Sequence, residues 1–184
     1  MTTRVSLPGM RSPGAGFDQP FEMLDACHDR VRRSLDLLRR LRDYLRGHGH
    51  GCDDSARQAA RDVLRYFDIA APLHHEDEEL HVFPPLLAQG GDERLAALVR
   101  QLQRDHVRMA ERWATARGPL QAMADGQLPA FSAEHEAALD GFAECYADHL
   151  RHEDDSIYPA ARALLDPGAQ SAMGQEMARR RGVR

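Results

Sequence analysis

Lysine is absent from this chain. All 24 basic residues are arginine, and against 29 acidic residues they leave a formal charge of −5. With a pI of about 6.0, there is no electrostatic case for nucleic acid as a partner. Aromatic residues make up only 6%, while Ala, Leu and Arg recur, a composition that leans helical. Cysteine is scarce. Cys27, Cys52 and Cys145 are an odd number without Cys-x-x-Cys spacing, so neither a disulfide framework nor a zinc knuckle is indicated. No apolar run approaches the roughly 18 residues of a membrane helix, and Met1 to Gly16 lacks the apolar centre of a secretory signal. No membrane association and a cytoplasmic location are therefore expected. A length of 184 residues favours one domain with one core.

What the chain does have is one phrase written twice. The first copy runs His74-His75-Glu76-Asp77-Glu78-Glu79-Leu80-His81-Val82-Phe83-Pro84, and the second runs His149-Leu150-Arg151-His152-Glu153-Asp154-Asp155-Ser156-Ile157-Tyr158-Pro159. His149, Glu153 and Pro159 each stand 75 positions after His74, Glu78 and Pro84. Each copy is His-x-x-x-Glu, then a β-branched residue, an aromatic and a proline. On a helix, residues four apart share a face, so each copy points an imidazole and a carboxylate the same way.

Hydrophobic periodicity predicts four long helices between a flexible arm, 1–17, and a C-terminal tail, 167–184. Helix A spans about Pro20 to Arg46, with Leu24, His28, Val31, Leu38 and Leu41 inward, and a loop with His48 and His50 follows. Helix B opens on the capping box Ser55-x-x-Gln58, carries Val63, Phe67, His74 and Glu78 inward, and is ended or kinked by Pro84 and Pro85. Helix C is capped by Asp92, carries Leu102, His106 and Trp113, and is interrupted at Gly118-Pro119. Helix D starts near Ser132, carries Leu139, Phe142, His149, Glu153 and Ile157, and stops at Asp166-Pro167-Gly168. Arg179-Arg180-Arg181 is read as a solvated end.

Four such helices with short connections fold most simply as an all-α, antiparallel up-down-up-down bundle over 18–166. Its halves match as a pseudo-two-fold repeat, His28 with His74 and Glu78, then His106 with His149 and Glu153. These six residues converge near mid-bundle. Two buried carboxylates beside four imidazoles repel or shift their pKa values unless cations lie between them. The expected division gives one ion to His28 and His74 and a second to His106 and His149, with Glu78 and Glu153 bridging. Imidazole with carboxylate suits iron, and manganese or zinc is possible. His75 and His152 are read as exposed, His81 as solvated or bracing a ligand, and Cys145 and Tyr146 as core packing beside the centre. The Glu78-x-x-His81 step of ferritin-like bundles has no counterpart in the second copy, where Ser156 stands.

This constellation resembles the hemerythrin-like, or HHE cation-binding, family from Pro20 to about Leu165. The resemblance implies an antiparallel four-helix bundle with a non-haem di-iron centre. Family members bind oxygen, sense oxygen or iron, or help repair nitrosative damage. One departure stands out. Oxygen carriers add a second histidine one turn from the helix C ligand, where this chain has Leu102 and Ala110, so the second ion is expected to be less saturated. Three readings stay open at this point: a di-iron protein that binds or senses dioxygen or a related diatomic, without being an enzyme; a di-iron enzyme or stress protein acting on peroxide or nitric oxide, or in iron handling and iron–sulfur repair; and a bundle whose metal is only a staple. Residues 1–17 hold no cysteine, which counts against the repair version.

Overall fold

The computed structural model describes residues 16–47 and 51–183. The expected arm over 1–17, apart from Gly16 and Phe17, and the His48 and His50 loop lie outside the described residues. Within them the chain is helical, with no strand.

Helix α1, Pro20–Gly47, opens on the predicted proline. Helix α2, Asp54–Arg65, is capped by Asp53, whose side chain accepts from the Ala56 N–H at 2.9 Å. This corrects the Ser55 capping box. A bond from the Cys52 N–H to the Pro129 carbonyl fixes the chain just upstream, and Asp53 is the extended residue before the first turn, so Ser55 already lies inside the helix.

From Asp54 the chain stays helical to Gln89, alternating α and π geometry: a π segment at Tyr66–Ala70, α3 at Ala71–Asp77, a second π segment at Glu78–Val82, and α4 at Phe83–Gln89. A third π segment, Glu153–Ile157, separates α7, Ala147–His152, from α8, Tyr158–Leu164. Each π segment ends two residues before a proline, Pro72, Pro84 or Pro159. A proline ring collides with the carbonyl four residues back and offers no N–H to it. Those carbonyls belong to Asp68, Leu80 and Asp155, each at the middle of a π segment. Widening the turn by one residue removes the collision and keeps the helix running. Of the two outcomes expected at Pro84 and Pro85, an end or a distortion of the helix, the end is excluded, since α4 continues to Gln89.

Helix α5, Glu93–Ala124, is capped by Asp92 as expected and passes through Gly118-Pro119 without a break. The predicted interruption there is corrected. Helix α6, Ala133–Ala143, starts at Ser132, whose hydroxyl accepts from the His135 N–H while His135 Nδ1 accepts from the Ser132 N–H.

The expected tail is also corrected. Asp166 caps, and Pro167 opens, a further helix α9, Pro167–Arg180, that buries Met173 and Met177. It packs against α1. Gly174 is required here, because a Cβ at that position would stand 1.8 Å from the Phe17 carbonyl oxygen. Arg180 and Arg181 are not solvated ends: both grip the fully buried Asp77, in the first copy of the repeated phrase.

Apolar packing forms two clusters, one holding Val31, Leu38, Phe67, Met109 and Phe142, the other Phe21, Leu24, Phe83, Leu102, Ile157 and Met177. Each long helical stretch passes from one cluster to the other, and the direction of passage reverses from each stretch to the next. The six predicted site residues lie at the crossing points.

Candidate metal centre

All six residues are brought together and buried, none more than 7% exposed. His74 and Glu78 sit on either side of the join between α3 and the second π segment, and His149 and Glu153 on either side of the join between α7 and the third. The bridging candidates thus open the π segments that the downstream prolines impose.

The two carboxylates are oriented across the centre. Glu78 Oε1 lies 3.5 Å from His74 Nε2 and 3.9 Å from His28 Nε2, while its Oε2 lies 3.4 Å from His106 Nε2. Glu153 does the reverse: Oε2 is 3.2 Å from His28 Nε2, and Oε1 is 3.1 Å from His149 Nε2 and 3.9 Å from His106 Nε2. Each carboxylate therefore turns one oxygen toward the His28–His74 side and the other toward the His106–His149 side. Three overlapping groups have candidate ligand atoms within 4.8 Å of one another: His28, His74 and Glu78; Glu78, His106 and Glu153; and His75, His106 and His149.

His75 corrects the sequence analysis. It is half-buried, and its ring stacks on His106 at 4.1 Å and 11°. His75, from α3, thus joins His106 and His149 in one of the groups that could hold an ion.

Other residues brace the imidazoles. His28 Nδ1 donates to Asp154 at 2.7 Å, and His106 Nδ1 to Glu79 at 2.9 Å, Glu79 in turn accepting from Gln103. Such carboxylates orient a ligating ring and raise its basicity. The signal was present in the sequence: Glu78 and Glu153 are each followed by a second acid, Glu79 or Asp154, and that acid braces the single upstream histidine of the other half, His106 or His28. Tyr158, from the aromatic position of the second copy, donates to Glu78 Oε1 and lies 2.9 Å from His28 Nε2. Its counterpart Phe83 stacks on His106 at 5.6 Å. His81 bonds Glu176 of α9 rather than the centre. Tyr146 packs against Phe67 and Phe142, and the Cys145 thiol donates to the Gly141 carbonyl.

The electrostatics follow. Burial alone would push His28 and His106 down. The carboxylates of Asp154, Glu153 and Glu78 around His28 overcome that and lift it to about 11. Glu78 and Glu79 lift His106 to about 10. Burial would raise Glu78, but His74, His106 and His28 hold it well below the usual carboxylate range. Burial lowers His74 and, with the His106 charge, His75. Burial beside Glu78 and Glu153 pushes the Tyr158 phenol well up, so it stays a donor.

Protons do not satisfy the cluster. Glu78 Oε2, both Glu153 oxygens, His106 Nε2 and His149 Nε2 are buried without a hydrogen bond. Buried polar atoms rarely go unpaired, and these all face the same interior. Their chemistry, imidazole nitrogen with carboxylate oxygen, fits divalent transition metals. A ligating histidine must be neutral, so metal uptake displaces the protons that His28 and His106 carry at neutral pH. We expect release of about two protons per chain on loading at pH 7, and an apparent affinity that rises as pH climbs toward about 10. Calorimetric titration in buffers of different ionisation enthalpy measures this, and heats independent of buffer would contradict it.

An all-helical chain with a buried histidine–carboxylate centre of this kind belongs to the class of helical metal-binding proteins. Residues 19–161 match the Hemerythrin HHE cation binding domain, and the chain belongs to that family. An "Uncharacterized protein" of Haemophilus influenzae is 30% identical over 170 residues, covering 92% of this chain and 94% of the relative.

Proposed function

We propose that this protein holds two iron ions in a carboxylate-bridged, non-haem centre and binds or senses dioxygen or a related diatomic. His28 and His74 hold the first ion, and His75, His106 and His149 the second, with Glu78 and Glu153 bridging. The supporting observation is the carboxylate geometry, one oxygen of each glutamate toward each histidine group. The reversing passage of successive stretches between the two apolar clusters supports an antiparallel four-helix bundle. Equivalent placement of the second and third π segments, each opening on the glutamate of its copy of the phrase, supports its pseudo-two-fold repeat, with α9 as an added fifth helix.

His28 and His74 with the two glutamates would give the first ion four protein ligands, and His75, His106 and His149 with them would give the second five, so the His28–His74 side would have more room for a small ligand. Iron in this setting supplies a place for a small diatomic and a reversible change of oxidation state. His75 would also make up the ligand expected to be missing at the second ion, where α5 carries Leu102 and Ala110. The chain's own residues do the rest. Apolar side chains above and below exclude water, Asp154 and Glu79 fix two rings, and the paired carboxylates offset the metal charge.

Visible spectra of the iron-loaded chain, reduced and then exposed to oxygen, test this. Charge-transfer bands that appear with oxygen and vanish on its removal support the reading. A spectrum that never responds overturns it and leaves a structural metal. Steady turnover of peroxide or nitric oxide would move the assignment to the enzyme.

A further inference from the structure

The two halves of the centre are alike in their histidines and carboxylates but differ at one pair of positions. Tyr158 and Phe83 stand five residues after Glu153 and Glu78. Both rings lie over a candidate ligand: Tyr158 over His28 at 4.9 Å and 21°, Phe83 over His106 at 5.6 Å and 23°. Only Tyr158 brings a hydroxyl. That hydroxyl is 2.9 Å from His28 Nε2 and donates to Glu78 Oε1. Both are candidate ligand atoms of the same ion.

The half that carries the hydroxyl is also the half with fewer ligands. His75, His106 and His149 crowd the second ion, whereas His28 and His74 leave the first with room. A side chain with one buried O–H, set against apolar packing from Phe21, satisfies that hydrogen through whatever acceptor occupies the centre. In the metal-free chain this acceptor is Glu78. A cleft of about 420 Å³ has Arg32, Tyr146, Leu150, Arg151 and Asp154 in its wall. Asp154 touches the cleft and also holds His28 Nδ1.

We propose that Tyr158 is the hydrogen-bond donor that makes the His28–His74 half the binding site for a small anion. The class of ligand is a compact anion with a lone pair free to accept after one end is bound, such as azide or a deprotonated oxygen species. The phenol keeps its proton throughout and moves it from Glu78 Oε1 toward the anion. Phe83 offers no equivalent, so the second half does not compete. This inference rests on the two-ion reading above.

The test uses the full chain loaded with iron, azide as the probe, and metal content measured on the same samples. Tyr158→Phe copies a side chain that the other half already accommodates, so the packing cost is small. The expected result is two irons retained, azide affinity lowered roughly tenfold, as for one hydrogen bond to a charged group, and a shifted azide charge-transfer band. A second variant, Tyr158→Phe with Phe83→Tyr, moves the hydroxyl to the crowded half and is expected not to restore affinity. Wild-type affinity in Tyr158→Phe overturns the donor role, and so does loss of iron, which would make Tyr158 a ligand or a packing residue. Restored affinity in the double variant overturns the choice of half. An unaltered chain without iron overturns the two-ion reading, and this inference falls with it.

Discussion

Exchanging both Glu78 and Glu153 for glutamine reduces bound iron from about two per chain to near none, while the helical circular dichroism is retained. Glutamine keeps the volume and the helix propensity of glutamate, so the change is confined to charge and ligation. A neutral amide has a single acceptor oxygen and cannot span two cations. Each ion loses two of its ligands together with the negative charge that offsets its own. The metal-free variant also tests the burial argument. His28 and His106 are lifted chiefly by neighbouring carboxylates, Asp154, Glu153 and Glu78 for the first and Glu78 and Glu79 for the second, so without the charges of Glu78 and Glu153 both titrate lower. A double variant that still holds two irons would show that these carboxylates do not bridge, and the centre would have to be assigned elsewhere.

The second large effect lies outside the centre. Replacing Arg180 and Arg181 together with alanine destabilises the chain by about 3–5 kcal/mol, the scale for stripping the partner from a buried charge. Asp77 is fully buried, and Arg181 Nη2 meets its Oδ2 at 2.6 Å while Arg180 and Arg181 both reach Oδ1. Two guanidinium groups on one carboxylate make strong, directional bonds. Arg180 also pairs with Glu76 at 3.0 Å and Glu176 at 2.8 Å, which fastens α9 to the segment that carries His74 and Glu78. With typical net stabilities of about 5–15 kcal/mol, this loss moves the urea midpoint visibly. Adding Asp77→Asn to the arginine pair is expected to recover part of it, because the orphaned charge disappears. A loss below about 0.5 kcal/mol, the ordinary scale of surface substitutions, would show that α9 contributes nothing through these pairs.

The repeated phrase made four of the six central residues legible, since a shared helical face follows from four-residue spacing alone, and His28 and His106 were legible from the apolar stripes of α1 and α5. Ser132, Asp92 and Pro20 likewise announced helix starts by chemistry that acts within one turn. What stayed hidden depends on contacts between distant segments or on departures from 3.6 residues per turn. His75 is one residue round the helix from His74, a position that a simple inner stripe assigns outward. It is turned to use by the ring of His106 packed against it. Pro84 and Pro85 read as an end or a kink because the widened π turn that absorbs a proline carries no local signature. Asp166-Pro167-Gly168 does end one helix, but an aspartate cap followed by proline also begins another, and Met173 and Met177 at four-residue spacing were the trace of its buried face. Arg180 and Arg181 could not be told from solvated charge without Asp77, about a hundred positions away in sequence.

Anomalous diffraction from iron-loaded crystals tests the central claim most directly. The account predicts two iron peaks about 3.5–4 Å apart, one beside His28 and His74 and the other among His75, His106 and His149, with Glu78 and Glu153 between them. A single peak, or iron bound away from this layer, would contradict it.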